Sequence, residues 1–381
     1  MKICKENLCT GCMACVKSCP KQCIILEKNN CGEEHPHIDT TKCVSCGACR
    51  KACLNEANIE FSSPLRTFAA WSFHEDDCKY SSSGGVASVF SRKMIKSGGV
   101  VFGATSQNKT VEHILVETED DIEHLRGSKY VQSNVVNVYS VAKNLLEQGK
   151  KVLFIGTPCQ VAGLKLYLKK EYQNILTVDL ICHGTPPIAY LQEHLSRIDW
   201  TDVSFRGYYN WKLTATNKEK VVYQKDRYDD EYFTAFLEGL IFRESCYSCK
   251  FARQERISDI TIGDFWGLNR TTIKVPYDGR VSLVLANSEK GLEFIKQCNS
   301  EMYFEEREFS EALNPSQTNL QQPSMRPMER DRLLSDMTEV GFDKAVQATD
   351  VWKKTRKAQH KKKFLMPFIK IDRKLKKIFI K

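Results

Sequence analysis

The strongest constraint on this chain is a duplicated cysteine pattern. Residues 9–20 read CTGCMACVKSCP and residues 43–54 read CVSCGACRKACL, each a C-x2-C-x2-C-x3-C run with every cysteine 34 residues from its counterpart. Thiolates at that spacing wrap three corners of one cubane cluster, while the fourth reaches across to the neighbouring cluster. The assignment is Cys9, Cys12, Cys15 and Cys53 for one [4Fe–4S] cluster, and Cys43, Cys46, Cys49 and Cys19 for the other. Gly11 and Gly47 suit backbone packed close to a cluster. Pro20 follows the fourth cysteine as the pattern expects, whereas Leu54 takes that place in the second copy. A zinc-binding or disulfide-stapled module rarely repeats a four-cysteine run in tandem. Cys4, Cys23 and Cys31 fall outside the pattern and read as small packing residues or exposed thiols.

The 17 cysteines also bear on the compartment. The opening MKICKENLCT lacks the apolar core of a secretory signal, and no run approaches the roughly 20 apolar residues that span a bilayer. A cytoplasmic location is expected, where thiols stay reduced and serve metals rather than disulfides. The net charge of +9 is unevenly spread: residues 353–381 hold 13 Lys and Arg against Asp372, leaving 43 basic and 46 acidic side chains in the first 352 residues.

From about residue 64 the texture changes to alternating strand and helix signals. VVFGAT (100–105) and VEHILVE (111–117) read as strands around an Asn-Lys turn. Residues 135–148 have helical periodicity, KVLFIG (151–156) is a buried-type strand entering a helix, and ILTVDLIC (175–182) is another strand, with a helix after Pro186 and Pro187. Shorter strands follow residue 200, then residues 282–288 as a strand and 289–298 as a helix. The expected fold class is α/β (α+β), a flavin-type domain preceded by a small two-cluster ferredoxin-like domain. The expected boundaries are 1–62 for the ferredoxin-like domain, 63–325 for the main domain and 326–381 for a helical, strongly basic tail.

A second cysteine feature lies in CYSCKFARQERISDITIGDFWG (246–267), where Cys246 and Cys249 form a C-x-x-C pair that lacks two partners. Cys159, in IGTPCQVAGL, and Cys182, in DLICHGTPP, each follow an apolar strand and precede a helix. If those strands are neighbours, both thiols share one rim of the sheet and complete a four-thiolate set. Packing cysteines remain an alternative, and so does a zinc site, because ligand identity alone does not separate zinc from iron–sulfur. Elsewhere SSSGGVASVF (81–90) is a Ser/Gly turn opening a helix, able to aim backbone N–H groups at a phosphate or simply to cap the helix. GSKYVQS (127–133) is a second small, basic loop, with Lys129 ordinarily a solvated charge there.

Taken together, SSSGG, GSKYVQS, IGTPCQVAGL, DLICHGTPP and the C-x-x-C followed by SDITIGDFWG resemble the beta-subunit family of coenzyme F420-reducing hydrogenases and dehydrogenases. The resemblance runs from about residue 64 to 320. It implies an iron–sulfur flavoprotein in which FAD lies beside a third [4Fe–4S] cluster. On that resemblance Cys159, Cys182, Cys246 and Cys249 are the third cluster's ligands. Ser83, Gly84 and Gly85 belong to the FAD site together with Lys129, and Asp264 and Trp266 lie near the cofactors. The alternative for Asp264 is a turn-capping carboxylate, and for Trp266 a core position. His183 either tunes the site or makes a structural hydrogen bond. No residue is singled out as catalytic.

The expected function is an oxidoreductase passing electrons between ferredoxin-type clusters and, through FAD, a hydride donor or acceptor that is coenzyme F420-like or another conjugated substrate. The competing readings are a non-catalytic electron-transfer subunit and an accessory protein of bacterial polysaccharide biosynthesis. Expected partners are a redox protein, such as ferredoxin or another oxidoreductase subunit, and a small-molecule hydride donor or acceptor. Residues 330–350 read as one amphipathic helix. The segment 351–381 interleaves basic residues with Trp352, Phe364, Phe368 and Ile371, which suits an anionic membrane surface or a docked tail. Nucleic acid is not expected, since no binding motif accompanies the charge.

Overall fold

A computed structural model describes residues 1–29, 31–206 and 211–359. The N-terminal part is small. An antiparallel hairpin, Ile24–Lys28 with Glu34–Ile38, separates two one-turn helices, Ala14–Lys17 and Ala48–Lys51, one in each cysteine run. Gly11 and Gly47 both have positive φ, at 67° and 72°, which lets the backbone fold tightly around the cysteines.

The main body is built on an eight-stranded mixed sheet. Its spatial order is Met302–Arg307, Arg66–Ser72, Ser282–Ala286, Ile260–Asp264, Ile175–Leu180, Val152–Gly156, Val100–Gln107, Thr110–Val116. The four strands from Ile260–Asp264 to Val100–Gln107 run parallel, and the flanking strands pair antiparallel. The two strands expected to be neighbours are so: Val152–Gly156 pairs in parallel with Ile175–Leu180. Parallel strands covered on both faces are apolar throughout, and Val152, Leu153, Phe154 and Val178 are indeed fully buried. The Asn-Lys turn is present, with φ of 50° at Asn108 and 60° at Lys109, the paired positive values of a tight hairpin turn.

A separate three-stranded sheet, Asp202–Arg206, Trp211–Asn217 and Lys220–Asp226, packs beside an aromatic core that includes Tyr232, Phe233 and Phe236. The C-terminal helices close this core. The single helix expected over 330–350 is two, Arg330–Val340 and Phe342–Ala348, because the chain turns at Gly341 with φ 83°. Leu333, Phe342, Ala345 and Val346 are buried there, and Trp352 is 9% exposed within the same core. Trp352 is therefore not available to a membrane surface. Residues 360–381, which carry most of the basic tail, lie outside the described residues. Among the described residues no helix is long and apolar enough to cross a membrane.

Candidate redox site

The carboxyl ends of the parallel strands open into a cavity of about 500 Å³. Its wall is drawn from Ser81–Ser83, Gly85, the loop 125–133, Cys159, Cys182, Arg206, Asp264 and Trp266. This is where open α/β sheets ordinarily collect ligands.

Cys159 enters on the helix Pro158–Leu168, whose first turn is fixed by a capping box between Thr157 and Gln160. Cys182 follows the neighbouring strand by two residues. Cys246 and Cys249 come from the turn Glu244–Ser248 and its end, behind the cavity wall. The four thiols face one another closely enough to raise one another's pKa: Cys159 feels Cys249 and Cys182, and Cys182 feels Cys246 and Cys249. Burial is the larger cause and pushes all four upward, Cys246 to about 11. Four converging thiols that resist ionisation are a set that only a bound cationic centre would deprotonate together.

A buried clamp sets the spacing of this group. The guanidinium of Arg256 donates to Asp179 Oδ1 at 2.9 Å, and Thr261 Oγ1 donates to the same oxygen at 2.6 Å. Arg256 also holds the carbonyls of Phe251 and Arg253 at 3.1 Å each. The segment after Cys249 is thereby tied to the strand that leads to Cys182. Asp259, in the SDITIGD stretch, accepts from Thr177 N at 2.8 Å and from Thr177 Oγ1 at 2.7 Å and joins the same two strands.

The N-terminal cysteines form two groups. Cys9, Cys12, Cys15 and Cys53 are buried and electrostatically coupled, with Cys4 beside Cys9 and Cys53. Cys19, Cys43, Cys46 and Cys49 line a second small cavity that also admits Cys23, whose Sγ is 3.4 Å from that of Cys19. Cys4 and Cys23 are thus each a fifth thiol beside a group of four, a closeness their sequence positions did not signal. Among the described residues no three cysteine sulfurs lie within 4.8 Å of one another.

The first group is seated on the main body. Gln132 Nε2 donates to the carbonyls of Thr10 at 2.9 Å and Gly11 at 3.3 Å. The fully buried Arg243 donates to Gln132 Oε1 at 2.9 Å, Glu34 O at 3.2 Å and Cys9 O at 3.4 Å, with Glu33 at 3.8 Å. Lys250 also donates to Leu54 O.

The remaining cavity wall is basic and hydroxyl-rich. Buried Asp77 organises it: Arg92 Nη2 binds both its carboxylate oxygens at 3.0 Å, Arg126 Nη2 binds Oδ1 at 3.1 Å, and Ser72 Oγ binds Oδ2 at 2.9 Å. Gly85 packs on the Asp77 backbone with φ 81° and opens the helix Val86–Lys96. Ser82 Oγ accepts from Ser128 N at 2.7 Å and locks the two loops together. Ser83 and Gly85 line the cavity, but Gly84 does not. A Cβ on Gly84 would lie 2.6 Å from the Ala70 carbonyl, so close packing against the sheet accounts for that glycine.

Lys129 is half-buried in the wall rather than solvated. Its ammonium donates to the carbonyls of Arg126 at 2.8 Å and His124 at 3.2 Å, and withdrawal from water lowers its pKa to about 7. Asp264 ends its strand and accepts from Arg206 Nη1 at 2.5 Å, while the Arg206 guanidinium lies 4.1 Å from the Trp211 ring centroid. Trp266 is 44% exposed and is not a core residue. His183 lies edge-on to Phe242, at 5.4 Å between centroids, and burial lowers its pKa. The Nε atoms of Arg126 and Arg206 are buried without a hydrogen-bond partner among the described residues. Two orphaned guanidinium donors beside a helix N-terminus suit an anionic, hydrogen-bonding ligand.

This architecture defines an iron–sulfur protein: a dicluster ferredoxin domain seated against an α/β domain with a cavity at its strand ends. Residues 8–57 match the 4Fe-4S dicluster domain model, and residues 149–312 match the model for the C terminus of the coenzyme F420 hydrogenase/dehydrogenase beta subunit. The chain belongs to that beta-subunit family, with the 4Fe-4S domain at its N-terminus. It is similar to a subunit of the F(420)H(2) dehydrogenase of Methanosarcina mazei, at 22% identity over 192 residues, covering 48% of this chain and 55% of the relative. The chain thus spans about half the length of that curated relative. A solved chain from the F420-reducing [NiFe] hydrogenase complex of Methanosarcina barkeri is 17% identical, with a TM-score of 0.45, covering 74% of this chain and 90% of that one.

Proposed function

We propose that the chain is an iron–sulfur flavoprotein oxidoreductase. It passes electrons between ferredoxin-type [4Fe–4S] clusters and, through FAD in the cavity, a hydride donor or acceptor that is coenzyme F420-like or another conjugated substrate. The observation that carries this reading is continuity. Cys12 packs against the helix that carries Cys159, and Cys159 and Cys182 in turn form part of the cavity wall. Three thiol groups therefore lead, without a gap in the packing, from the protein surface to one ligand-sized space.

Cys159, Cys182, Cys246 and Cys249 would hold the third cluster. Four thiolates on one zinc, at about 2.3 Å each, would bring their sulfurs to within about 4 Å of one another. The wider spacing here favours a cubane. Arg126, Ser82, Ser128 and the helix start at Val86 would bind the anionic part of FAD. Arg206, held by Asp264 and backed by Trp211, would orient the ring end together with the Lys129 loop. FAD, when bound, supplies the conversion between hydride exchange with a soluble partner and single-electron exchange with a cluster. The aromatic residues Trp211, Trp266 and Phe236 exclude water around it.

A second reading, in which the chain hands electrons to another polypeptide, is favoured by the curated relative being named as part of a dehydrogenase assembly. Iron, sulfide, zinc and flavin content of anaerobically purified, reconstituted protein separates these readings from a structural role. About twelve irons and one FAD per chain are expected. About eight irons with one zinc and no flavin would overturn the proposal. Given a loaded cavity, bleaching by a small hydride donor identifies the enzyme, and bleaching only by a protein partner identifies the electron-transfer component.

A further inference from the structure

We propose that the outer cysteine group, Cys19, Cys43, Cys46 and Cys49, forms the docking face for an acidic one-electron carrier protein. The inference rests on the electron-transfer reading above and names the partner at its far end. The inner group, Cys9, Cys12, Cys15 and Cys53, is buried against the main body. The outer group opens to solvent: Cys46 is exposed, and Val44 beside it is 56% exposed. A carrier needs its own redox centre brought close to a cluster, and this is the end where the surrounding protein is thinnest.

The charge around that end is one-sided. Residues 17–28 and 39–51 contain Lys17, Lys21, Lys28, Lys42, Arg50 and Lys51 against Glu27 and Asp39. Lys21, Lys42, Arg50 and Lys51 are exposed, and Lys21 lines the same small cavity as the cysteines. The two acids are already engaged. Asp39 accepts from Thr41 N and Thr41 Oγ1 and pairs with Lys42 at 3.5 Å, and Glu27 pairs with His37 at 3.1 Å. This patch stands out because the first 352 residues together carry three more acids than bases. A basic rim around an apolar, solvent-open centre matches an acidic rim around a carrier's own centre. Such complementarity speeds encounter by 10-fold to about 10³-fold at low salt. A polyanion without a redox centre, such as nucleic acid or a lipid surface, would match the charge but not the exposed Cys46.

The test is stopped-flow reduction of the full-length reconstituted protein by a reduced acidic [2Fe–2S] ferredoxin, at about 20 mM and about 500 mM salt. The wild-type rate constant is expected to fall at least about ten-fold between these salts. Lys21→Glu/Lys42→Glu should be slowed about ten-fold at low salt and lose most of the salt dependence, while Lys150→Glu, on a distant turn, should behave as wild type. Iron content and photoreduction by uncharged 5-deazariboflavin are measured on every variant. If charge reversal costs iron, Lys21→Gln/Lys42→Gln is used, with the same trend expected at smaller size. Rates within about two-fold of wild type in an iron-replete variant would overturn the docking face. So would retention on anionic lipid vesicles with unchanged carrier rates. A wild-type protein lacking the clusters would instead overturn the function on which the inference rests.

Discussion

Gly163 and Cys12 lie in direct contact across the boundary between the cysteine-rich segment and the main body. A methyl group at residue 163 would come within 3.0 Å of Cys12 Cβ, 3.2 Å of Cys12 Sγ and 3.0 Å of the Tyr139 hydroxyl. A glycine in mid-helix ordinarily costs about 1 kcal/mol relative to alanine, so this one is retained for the close approach it permits. Gly163→Val overpacks the contact and is expected to destabilise the protein by about 1–3 kcal/mol. Denaturant unfolding checks this, and an unchanged midpoint would mean that the N-terminal segment yields freely.

Arg256 and Asp179 are both essentially fully buried, and their ion pair joins the Cys249 segment to the strand before Cys182. Removing one partner leaves the other charge stranded, at a cost of about 3–5 kcal/mol. Arg256→Leu is expected to lose that much stability. Arg256→Leu/Asp179→Leu should recover a substantial part of it. If the double variant is no more stable than the single one, the pair is not the source of the effect.

Cys246→Ala removes one of the four converging thiols behind the cavity. Iron should fall by about four atoms per chain, with the two ferredoxin-type clusters retained. Iron analysis together with low-temperature electron paramagnetic resonance reads this out. An unchanged iron content would exclude Cys246 as a ligand.

His194 supplies the clearest pH dependence away from the clusters. Its Nδ1 lies 2.5 Å from Asp343 and its Nε2 3.0 Å from Asp230, with Tyr223 donating to the same Asp230 oxygen at 2.6 Å. Burial alone would lower its pKa, but the hydrogen bonds to Asp230 and Asp343 outweigh it and raise the value to about 9. The folded state then binds this proton more tightly than the unfolded chain, whose histidine titrates near 6.5. The contribution is complete below about pH 6.5 and is lost as the pH rises through about 9. Asp343 lies on the C-terminal helix Phe342–Ala348, so that element should loosen first. Denaturation midpoints between pH 6 and pH 9.5 should fall in the wild type and change much less in His194→Gln.

The two cysteine runs, the apolar strands and the turn residues are local signals, and they were legible from residue spacing alone. A C-x2-C-x2-C-x3-C run folds around its ligands within a dozen residues, and a buried parallel strand must be apolar whatever surrounds it. The strand pairing that brings Cys159 beside Cys182 could be stated only as a condition, because parallel pairing joins distant segments. Arg126, Gln132, Arg206, Arg243 and Arg256 gave no sequence signal of their own, since an isolated arginine or glutamine looks like surface. Each acquires its role by burial against a partner between 49 and 111 positions away or, for Gln132, on the Thr10 loop. The break at Gly341 and the burial of Trp352 likewise depended on the aromatic core waiting for those helices. Local chemistry follows from the order of residues, whereas long-range burial decides which charges are paired and which are left facing the cavity.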